Sequence, residues 1–241
     1  MKFTVKGVPG QPVALLIHPV MADASFFDDL IDEMRGSYRV ALPTLDGHYA
    51  GSPSFASARQ EAEVLARKLQ AEGVERVRVL LGCSLGAAVA LELLAMMPRG
   101  FARLAVFDSP ALIDSGLSRA IMAHDLRKIR KVAKEKPERA RRLIDTRDDD
   151  YAFLIQHNAA AATDATVAGV CDACCHAALP QVPEAQQPFM TFVWGSFDPA
   201  MKCRARVARA YPRANVVIKD RYAHCDYLMM HPDDFAREFM F

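Results

Sequence analysis

The stretch Val77-Arg78-Val79-Leu80-Leu81-Gly82-Cys83-Ser84-Leu85-Gly86 decides the fold of this chain. It begins as a largely apolar run of strand length, and residues 87–94, which follow it, are good helix formers. A serine between two glycines, where a strand turns into a helix, is the pattern of a nucleophile elbow. A side chain at either flanking position would clash in so tight a turn, and the turn exposes the serine hydroxyl beside a helix N-terminus. We therefore predict that Ser84 is a catalytic nucleophile.

Composition places the chain among ordinary globular proteins. Of its 241 residues, 51% are apolar and 24% are charged, and the formal net charge is +1. So small a net charge gives no general attraction to nucleic acid. The first seven residues lack the apolar core of a signal peptide, and no run approaches the roughly 20 apolar residues that span a bilayer. We expect a cytoplasmic protein with a small-molecule substrate and neither a nucleic-acid nor a membrane partner, and a homodimer is left open.

Strands and helices alternate in the first part of the sequence and again at its end. Short apolar runs predict strands at residues 13–17, 38–42, 77–81, 101–107, 189–194 and 215–218. Helical patterns separate most of them, as in the amphipathic segment 57–72. Such alternation is typical of an α/β fold, in which helices cover both faces of a mostly parallel, doubly wound sheet.

The alternation is interrupted in the middle of the chain. Residues 111–187 are helical in pattern and contain no convincing strand, and two prolines in 181–188 mark the return to the core. We predict a core made of residues 1–110 and 188–241, with a helical insertion over 111–187. An insertion at the carboxyl ends of the strands lies over the site in open α/β sheets.

A serine nucleophile needs a base, and the base needs an acid to orient it. Asp198 follows the next-to-last predicted strand, and His224 follows the last one, so both loops lie at the same edge of the sheet as Ser84. The chain order nucleophile, acid, base matches one known arrangement of this triad. We predict Asp198 as the acid and His224 as the base. Asp108, which follows the strand after the elbow, is the rival acid.

These motifs resemble those of the α/β-hydrolase superfamily over nearly the whole chain. The resemblance is carried by His18-Pro19 after an early strand, the elbow, Trp194-Gly195-Ser196-Phe197-Asp198, and His224 near the end. Residues 111–187 resemble the cap that many members carry between their sixth and seventh strands. The resemblance implies that Ser84 attacks a carbonyl carbon, that His224 accepts its proton and later activates water, and that Asp198 holds the imidazole.

The resemblance also implies an oxyanion hole made of backbone N–H groups. One donor is expected from Leu85, the residue after the nucleophile. Similar proteins carry His-Gly after the early strand and use the next residue, which is Val20 here, with Met21 as the fallback. This chain departs from the pattern because Pro19 replaces the glycine, and proline restricts the backbone and has no N–H.

Three of the six cysteines, Cys171, Cys174 and Cys175, precede His176 and invite a metal interpretation. Zinc sites usually combine cysteine pairs from two separate places, and the sequence offers no second pair. Cys171 and Cys175 lie one helical turn apart, so we predict that they are buried apolar residues of one helix face. We expect free thiols, no metal and no cofactor.

The substrate is the part of the function that the sequence specifies least. Met21, Met122, Phe153 and Ile155 are the expected pocket residues, and a mostly apolar pocket suits a small or medium acyl group. Carboxylesterase-like hydrolysis is the favoured reaction. Cleavage of carbon–carbon bonds, lactones, thioesters or amides, and perhydrolysis, use the same triad, and the fold does not choose among them. A binding protein on a hydrolase scaffold is the alternative from another class.

Overall fold

The computed structural model describes residues 1–34, 36–97, 100–144 and 149–241. Within these ranges the strands form a seven-stranded sheet with the order β1-β3-β2-β4-β5-β6-β7. Only the pairing of β1 with β3 is antiparallel, and the other neighbours are parallel. The strands are β1 (Lys2–Lys6), β2 (Val13–Ile17), β3 (Arg39–Thr44), β4 (Val77–Cys83), β5 (Ala102–Asp108), β6 (Met190–Gly195) and β7 (Asn215–Lys219).

The α-helices of the same ranges separate the strands or follow them. They are α1 (Asp28–Glu33), α2 (Ala58–Ala71), α3 (Leu85–Met96), α4 (Gly116–Glu135), α5 (Pro137–Ala140), α6 (Asp149–Ala159), α7 (Asp164–Cys175), α8 (Arg204–Ala210), α9 (Asp226–Met230) and α10 (Pro232–Phe239). Side-chain oxygens cap two of the longer ones, since Ser57 accepts from Gln60 N–H at the start of α2 and Ser115 from Ser118 N–H at the start of α4.

The six strands predicted from apolar runs are all present as β2 to β7, with ends that differ by one or two residues. The apolar runs did not predict β1, in which Phe3 and Val5 alternate with polar residues and which pairs with β3 at the sheet edge. The prediction that Pro43 closes the next strand is wrong, because Pro43 lies inside β3 opposite Phe3. Helix α9 was missed as well.

Two hydrophobic layers cover the sheet. The larger one joins α2 and α3 to the sheet through residues such as Leu65 and Leu91. The other joins α1 and α10, with Phe27, Leu30 and Phe235 fully or almost fully buried. Because both faces are covered, the inner strands β2 and β4 are nearly continuous apolar runs.

The helices α4 to α7 lie between β5 and β6. The resemblance predicted this insertion between the sixth and seventh strands. In the described ranges it follows the fifth of the seven strands. Helix α4 packs on α6 and α7. Helix α7 rests on the core, where a Cβ atom on Gly169 would lie 2.4 Å from the Phe55 carbonyl oxygen. The Ser54 and Thr163 hydroxyls, 2.8 Å apart, also join the two parts.

No helix in the described ranges is long and apolar enough to cross a membrane.

Candidate active site

The turn after β4 has the geometry that the glycine spacing predicts. A Cβ atom on Gly82 would lie 2.5 Å from the Gly86 carbonyl oxygen, and one on Gly86 would lie 2.1 Å from the Ile17 carbonyl oxygen. Neither position therefore accepts a side chain. Ser84 lies between them with φ 52° and ψ −111°, a strained conformation for a residue with a Cβ atom. Its N–H donates to the Asp108 carbonyl at 2.9 Å, which ties the turn to β5.

Three side chains from separate loops meet at this turn. The Nε2 atom of His224 lies 2.8 Å from Ser84 Oγ, and its Nδ1 atom lies 2.9 Å from Asp198 Oδ1. A carboxylate can only accept, so the ring carries its hydrogen on Nδ1 and leaves Nε2 to accept the serine proton. Both contacts have ordinary hydrogen-bond lengths.

The loops that carry Asp198 and His224 are joined to each other by their backbones. Gly195 ends β6, and a Cβ atom there would lie 2.0 Å from the Tyr222 carbonyl oxygen, so only glycine allows this approach. Phe197 N–H donates to the same carbonyl at 3.0 Å. Asp198 Oδ1 also accepts from Ala200 N–H at 2.8 Å. The carboxylate is thus held in place from both sides, as a cap of the following 3₁₀ turn and as the partner of His224.

The His224 loop is held by a residue that the sequence analysis missed. Ser109 directly follows β5, and its hydroxyl accepts from the Cys225 N–H at 2.8 Å. Cys225 has a left-handed backbone with φ 61°, and Ser109 has φ 47°. Left-handed backbone conformations are unfavourable for residues other than glycine, so the surrounding contacts must hold Ser109 and Cys225 in them. A polar residue after the strand was the only sequence signal.

The charges around His224 favour its protonated form. Burial alone would lower the pKa of the ring, but the Asp198 carboxylate opposes it, and Asp108 and Asp226 act in the same direction at longer range. The net result is a pKa above the ordinary value of about 6.5. The His224 side chain is 28% exposed and that of Asp198 is fully buried, so the ring faces solvent while its carboxylate partner does not.

Asp108, the rival acid, lies in the same region but makes no hydrogen bond to His224 in the described part of the chain. Burial is the main reason why its pKa is raised to about 7, and its Oδ2 atom has no hydrogen-bond partner among the described residues. It is a buried carboxyl close to the imidazole without being its partner. The geometry therefore favours Asp198 over Asp108 as the orienting acid.

Three backbone N–H groups are available to a ligand beside Ser84. Leu85 is the first residue of α3, so its N–H has no acceptor within the helix. The N–H groups of Val20 and Met21 donate to no acceptor within the described residues. Met21 adopts φ 54°, which changes the chain direction directly after Pro19 and Val20.

The His18 side chain links the loop after β2 to the backbone after β3. Its Nδ1 donates to the Pro19 carbonyl at 2.7 Å, and its Nε2 accepts the Leu45 N–H at 3.0 Å. Complete burial lowers the pKa of His18 to about 3, so the ring is neutral and acts as a fixed link between two backbone segments.

A cavity of about 290 Å³ opens next to His224. Its walls are mostly apolar and come from the loop after β2 and from the inserted helices, with Asp125 and Lys128 as its charged members. The other lining residues are Val20, Met21, Leu126, Ile129, Leu143, Ile144, Tyr151 and Ile155. Tyr151 is 4% exposed and its ring meets Phe26 edge-on, so it forms a rigid wall that the sequence analysis did not identify.

Of the pocket residues expected from the sequence, Met21 and Ile155 line this cavity, whereas Phe153 and Met122 do not. The Phe153 side chain is 63% exposed and stacks on His157, because it lies on the outer face of α6. Met122 turns inward from α4, and its sulfur lies 3.7 Å from Cys175 Sγ. Helical spacing alone does not tell which face of an inserted helix covers the site, and Tyr151 and Ile155 occupy the face that does.

The cysteine cluster belongs to α7 and not to the loops that carry Ser84, Asp198 and His224. Cys171, Cys174 and Cys175 are buried free thiols of α7. Burial raises the pKa of Cys171 to about 11 and raises those of the other two, which disfavours the thiolate form that metals bind. Within the described ranges, no three His, Cys, Asp or Glu side chains are grouped so that they could hold a metal ion.

Comparison with known protein families identifies the chain. A family model described as the alpha/beta hydrolase family matches residues 14–238. The protein therefore belongs to the alpha/beta hydrolase family. A comparison with curated protein sequences finds no match.

Solved structures of the same architecture cover almost the whole chain. A carboxylesterase structure from the thaumarchaeon Nitrososphaera gargenis aligns with a TM-score of 0.75 and 15% identity, covering 98% of this chain and 91% of that one. An esterase from Exiguobacterium antarcticum gives 0.73 and 13%, covering 98% and 92%. A thermophilic esterase from Thermogutta terrifontis gives 0.70 and 21%, covering 98% and 90%. At these identities the similarity establishes the fold.

Proposed function

We propose that this protein is a serine hydrolase that cleaves carboxylic esters through the triad Ser84, His224 and Asp198. The observation that carries the proposal is the continuous hydrogen-bond chain from Ser84 Oγ through the imidazole to Asp198 Oδ1, with both links under 3.0 Å. A strained turn aims the hydroxyl at an imidazole nitrogen whose ring is oriented by a buried carboxylate. It is the arrangement that a nucleophilic alcohol needs.

The reaction proceeds in two halves. Ser84 Oγ attacks the ester carbonyl carbon while its proton moves to His224 Nε2, and the imidazolium then protonates the departing alkoxide as the carbon–oxygen bond breaks. Water next attacks the acyl-enzyme, giving its proton to His224 Nε2. The Ser84 oxygen recovers that proton as the carboxylic acid leaves. Asp198 keeps the ring oriented and stabilises its charged form throughout.

Backbone donors stabilise the oxyanion of both tetrahedral intermediates. The Leu85 N–H is one donor, and Val20 or Met21 supplies the other. Preorganised donors of this kind are each worth about 3 to 4 kcal/mol in the transition state. The neutral His18 ring keeps the second donor in place by linking the loop to Leu45.

The cavity supports a small or medium acyl group that is largely apolar. A volume of about 290 Å³ holds a short chain or a single ring, and Leu126, Ile129 and Ile155 offer no partner to a charged acyl group. We propose that residues 111–187 act as a cap over the site, since helices α4 and α6 supply most of this wall.

Turnover of p-nitrophenyl acetate and butyrate tests the proposal, with the wild type compared with Ser84→Ala. The enzyme should release p-nitrophenol in a burst, and the variant should lose activity by a factor of about a thousand or more. Ser37→Ala, at an exposed serine just before the amino end of β3, is the matched control and should retain turnover. Stable binding of an ester analogue without turnover by the wild type would instead support a binding protein.

A further inference from the structure

A second groove lies at the amino ends of the parallel strands, at the edge of the sheet opposite Ser84. Its volume is about 770 Å³, more than twice that of the cavity beside His224. It runs across the starts of β2, β4, β5 and β6, and its walls include Val13, Arg78, Arg103 and Phe189. None of these residues takes part in the proposed hydrolytic site.

Three arginines line this groove. Val77 pairs with Ala102 and Val79 with Leu104, so Arg78 and Arg103 lie directly opposite each other on neighbouring strands. The spacing between such strands is about 5 Å. Arg76 lines the same groove. Like charges in opposite positions of a sheet repel and lower its stability. A neutral pair would suit the fold better, so the fold itself does not require this cluster.

No carboxylate compensates these charges in the part of the chain that the structure describes. Other arginines there do form ion pairs, as Arg39 does with Glu72 and Arg119 with Asp172. Arg76, Arg78 and Arg103 form none, and the one polar side chain beside the Arg78 guanidinium is the Tyr38 hydroxyl. Because the net charge of the chain is only +1, this concentration of positive charge is local.

An exposed aromatic ring completes the groove. Phe189 immediately precedes β6 and is 53% exposed. Since Ala105 pairs with Met190, Phe189 stands beside the amino end of β5, near Arg103. The groove therefore combines a row of guanidinium groups with a flat apolar surface at one end.

We propose that this groove binds a nucleotide that carries at least two phosphate groups. The planar guanidinium of arginine matches two phosphate oxygens at once, so the paired arginines fit a diphosphate. The base would lie against the Phe189 ring, where offset stacking is favourable. A ligand with these two parts offsets the repulsion between the arginines and covers the exposed ring.

Isothermal titration of the full-length wild-type protein with ADP, inorganic pyrophosphate and adenosine tests this proposal. ADP should bind most tightly, pyrophosphate about tenfold more weakly, and adenosine without measurable heat, because charge supplies most of the affinity. Phe189→Ala should remove the preference for ADP over pyrophosphate. Equal affinity of the wild type for ADP and pyrophosphate would overturn the nucleotide assignment.

Variants of the arginines supply the second part of the test. Arg78→Gln and Arg103→Gln should each weaken ADP binding about tenfold or more, whereas Arg209→Gln, at an exposed arginine of α8, should change it less than twofold. The melting temperature of Arg103→Gln without ligand should equal or exceed that of the wild type, because a repulsion is removed. The absence of ADP binding at millimolar concentration, or an equal loss in Arg209→Gln, would refute the site.

Ester hydrolysis by these variants should match the wild type, because the groove and the triad lie at opposite edges of the sheet. The outcome is therefore independent of whether the proposed hydrolytic function is right.

Discussion

Replacing Asp108 with asparagine tests both the electrostatics of the site and the identity of the triad acid. Asp108 is buried beside the imidazole, and burial raises its pKa to about 7. In the unfolded chain an aspartic acid ionises near pH 4. Between these two values the unfolded state loses a proton that the folded state keeps, so the free energy of unfolding falls as the pH rises from about 4 to about 7.

The size of this effect follows from the difference between the pKa of Asp108 in the folded protein and its pKa in the unfolded chain. Each unit corresponds to about 1.4 kcal/mol, so Asp108 lowers the stability of the wild type by up to about 4 kcal/mol above pH 7. Asparagine has a similar shape and does not ionise. Asp108→Asn should therefore resemble the wild type at pH 4 and exceed its free energy of unfolding by several kcal/mol at pH 8.

The same substitution should have a modest effect on catalysis. Asp198 remains bonded to His224, so the maximal rate should stay within about tenfold of the wild type. An ionised Asp108 helps to raise the pKa of His224, so its loss should move the rising limb of kcat/KM to lower pH. For the wild type this limb is expected above pH 6.5, since the base must be neutral and its pKa is raised.

Urea unfolding at pH 4 and pH 8, together with pH profiles for p-nitrophenyl butyrate, measures both effects. Asp220→Asn is the matched control, because this side chain is 84% exposed and lies on the loop between β7 and His224. A stability difference that is the same at both pH values would refute the electrostatic reasoning. A thousandfold loss of kcat in Asp108→Asn would show that Asp108, and not Asp198, orients the base.

Three further substitutions probe the site and the core. Asp198→Asn should lower kcat on p-nitrophenyl esters by roughly 10⁴ with an unchanged circular dichroism spectrum, because His224 loses the acceptor that fixes its tautomer; a loss under tenfold would contradict the triad. Glu61→Gln should raise the free energy of unfolding by about 3 kcal/mol at pH 8 and leave it unchanged at pH 4, because burial raises the pKa of Glu61 to about 7. Urea unfolding with the same difference at both pH values would contradict this reasoning. Ile155→Trp should fill the cavity beside His224 and raise the acetate-to-butyrate ratio of kcat/KM about tenfold; an unchanged ratio would mean that the acyl group binds elsewhere.

Local patterns predicted the architecture well, because each of them reflects a local physical requirement. The strand before Ser84 is largely apolar since both faces of β4 are covered, and Gly82 and Gly86 are required by the close approach of backbone atoms. The predictions failed where the local signal was weak. Strand β1 is exposed on alternate residues at a sheet edge, and its pairing with β3 is specified by contacts that no short window contains.

The pocket residues show the same division. Met21 lines the cavity because it lies only four residues beyond the carboxyl end of β2, in the loop next to the elbow. Phe153 and Met122 do not line it, because they lie on inserted helices, whose rotation depends on packing. Helix α6 turns Tyr151 and Ile155 toward the site and leaves Phe153 in solvent.

By itself, the sequence determined the order of strands and helices, the tight turn at Ser84 and the loops that carry Asp198 and His224. Apolar periodicity and glycine spacing depend on only a few neighbouring residues, so they can be recognised in a short segment of sequence. Only the tertiary structure decided that Asp198 rather than Asp108 touches the imidazole, that Ser109 holds the His224 loop, and which helix faces line the cavity. Such choices depend on contacts between residues far apart in the chain, where a difference of one helical turn or one strand position changes the partner.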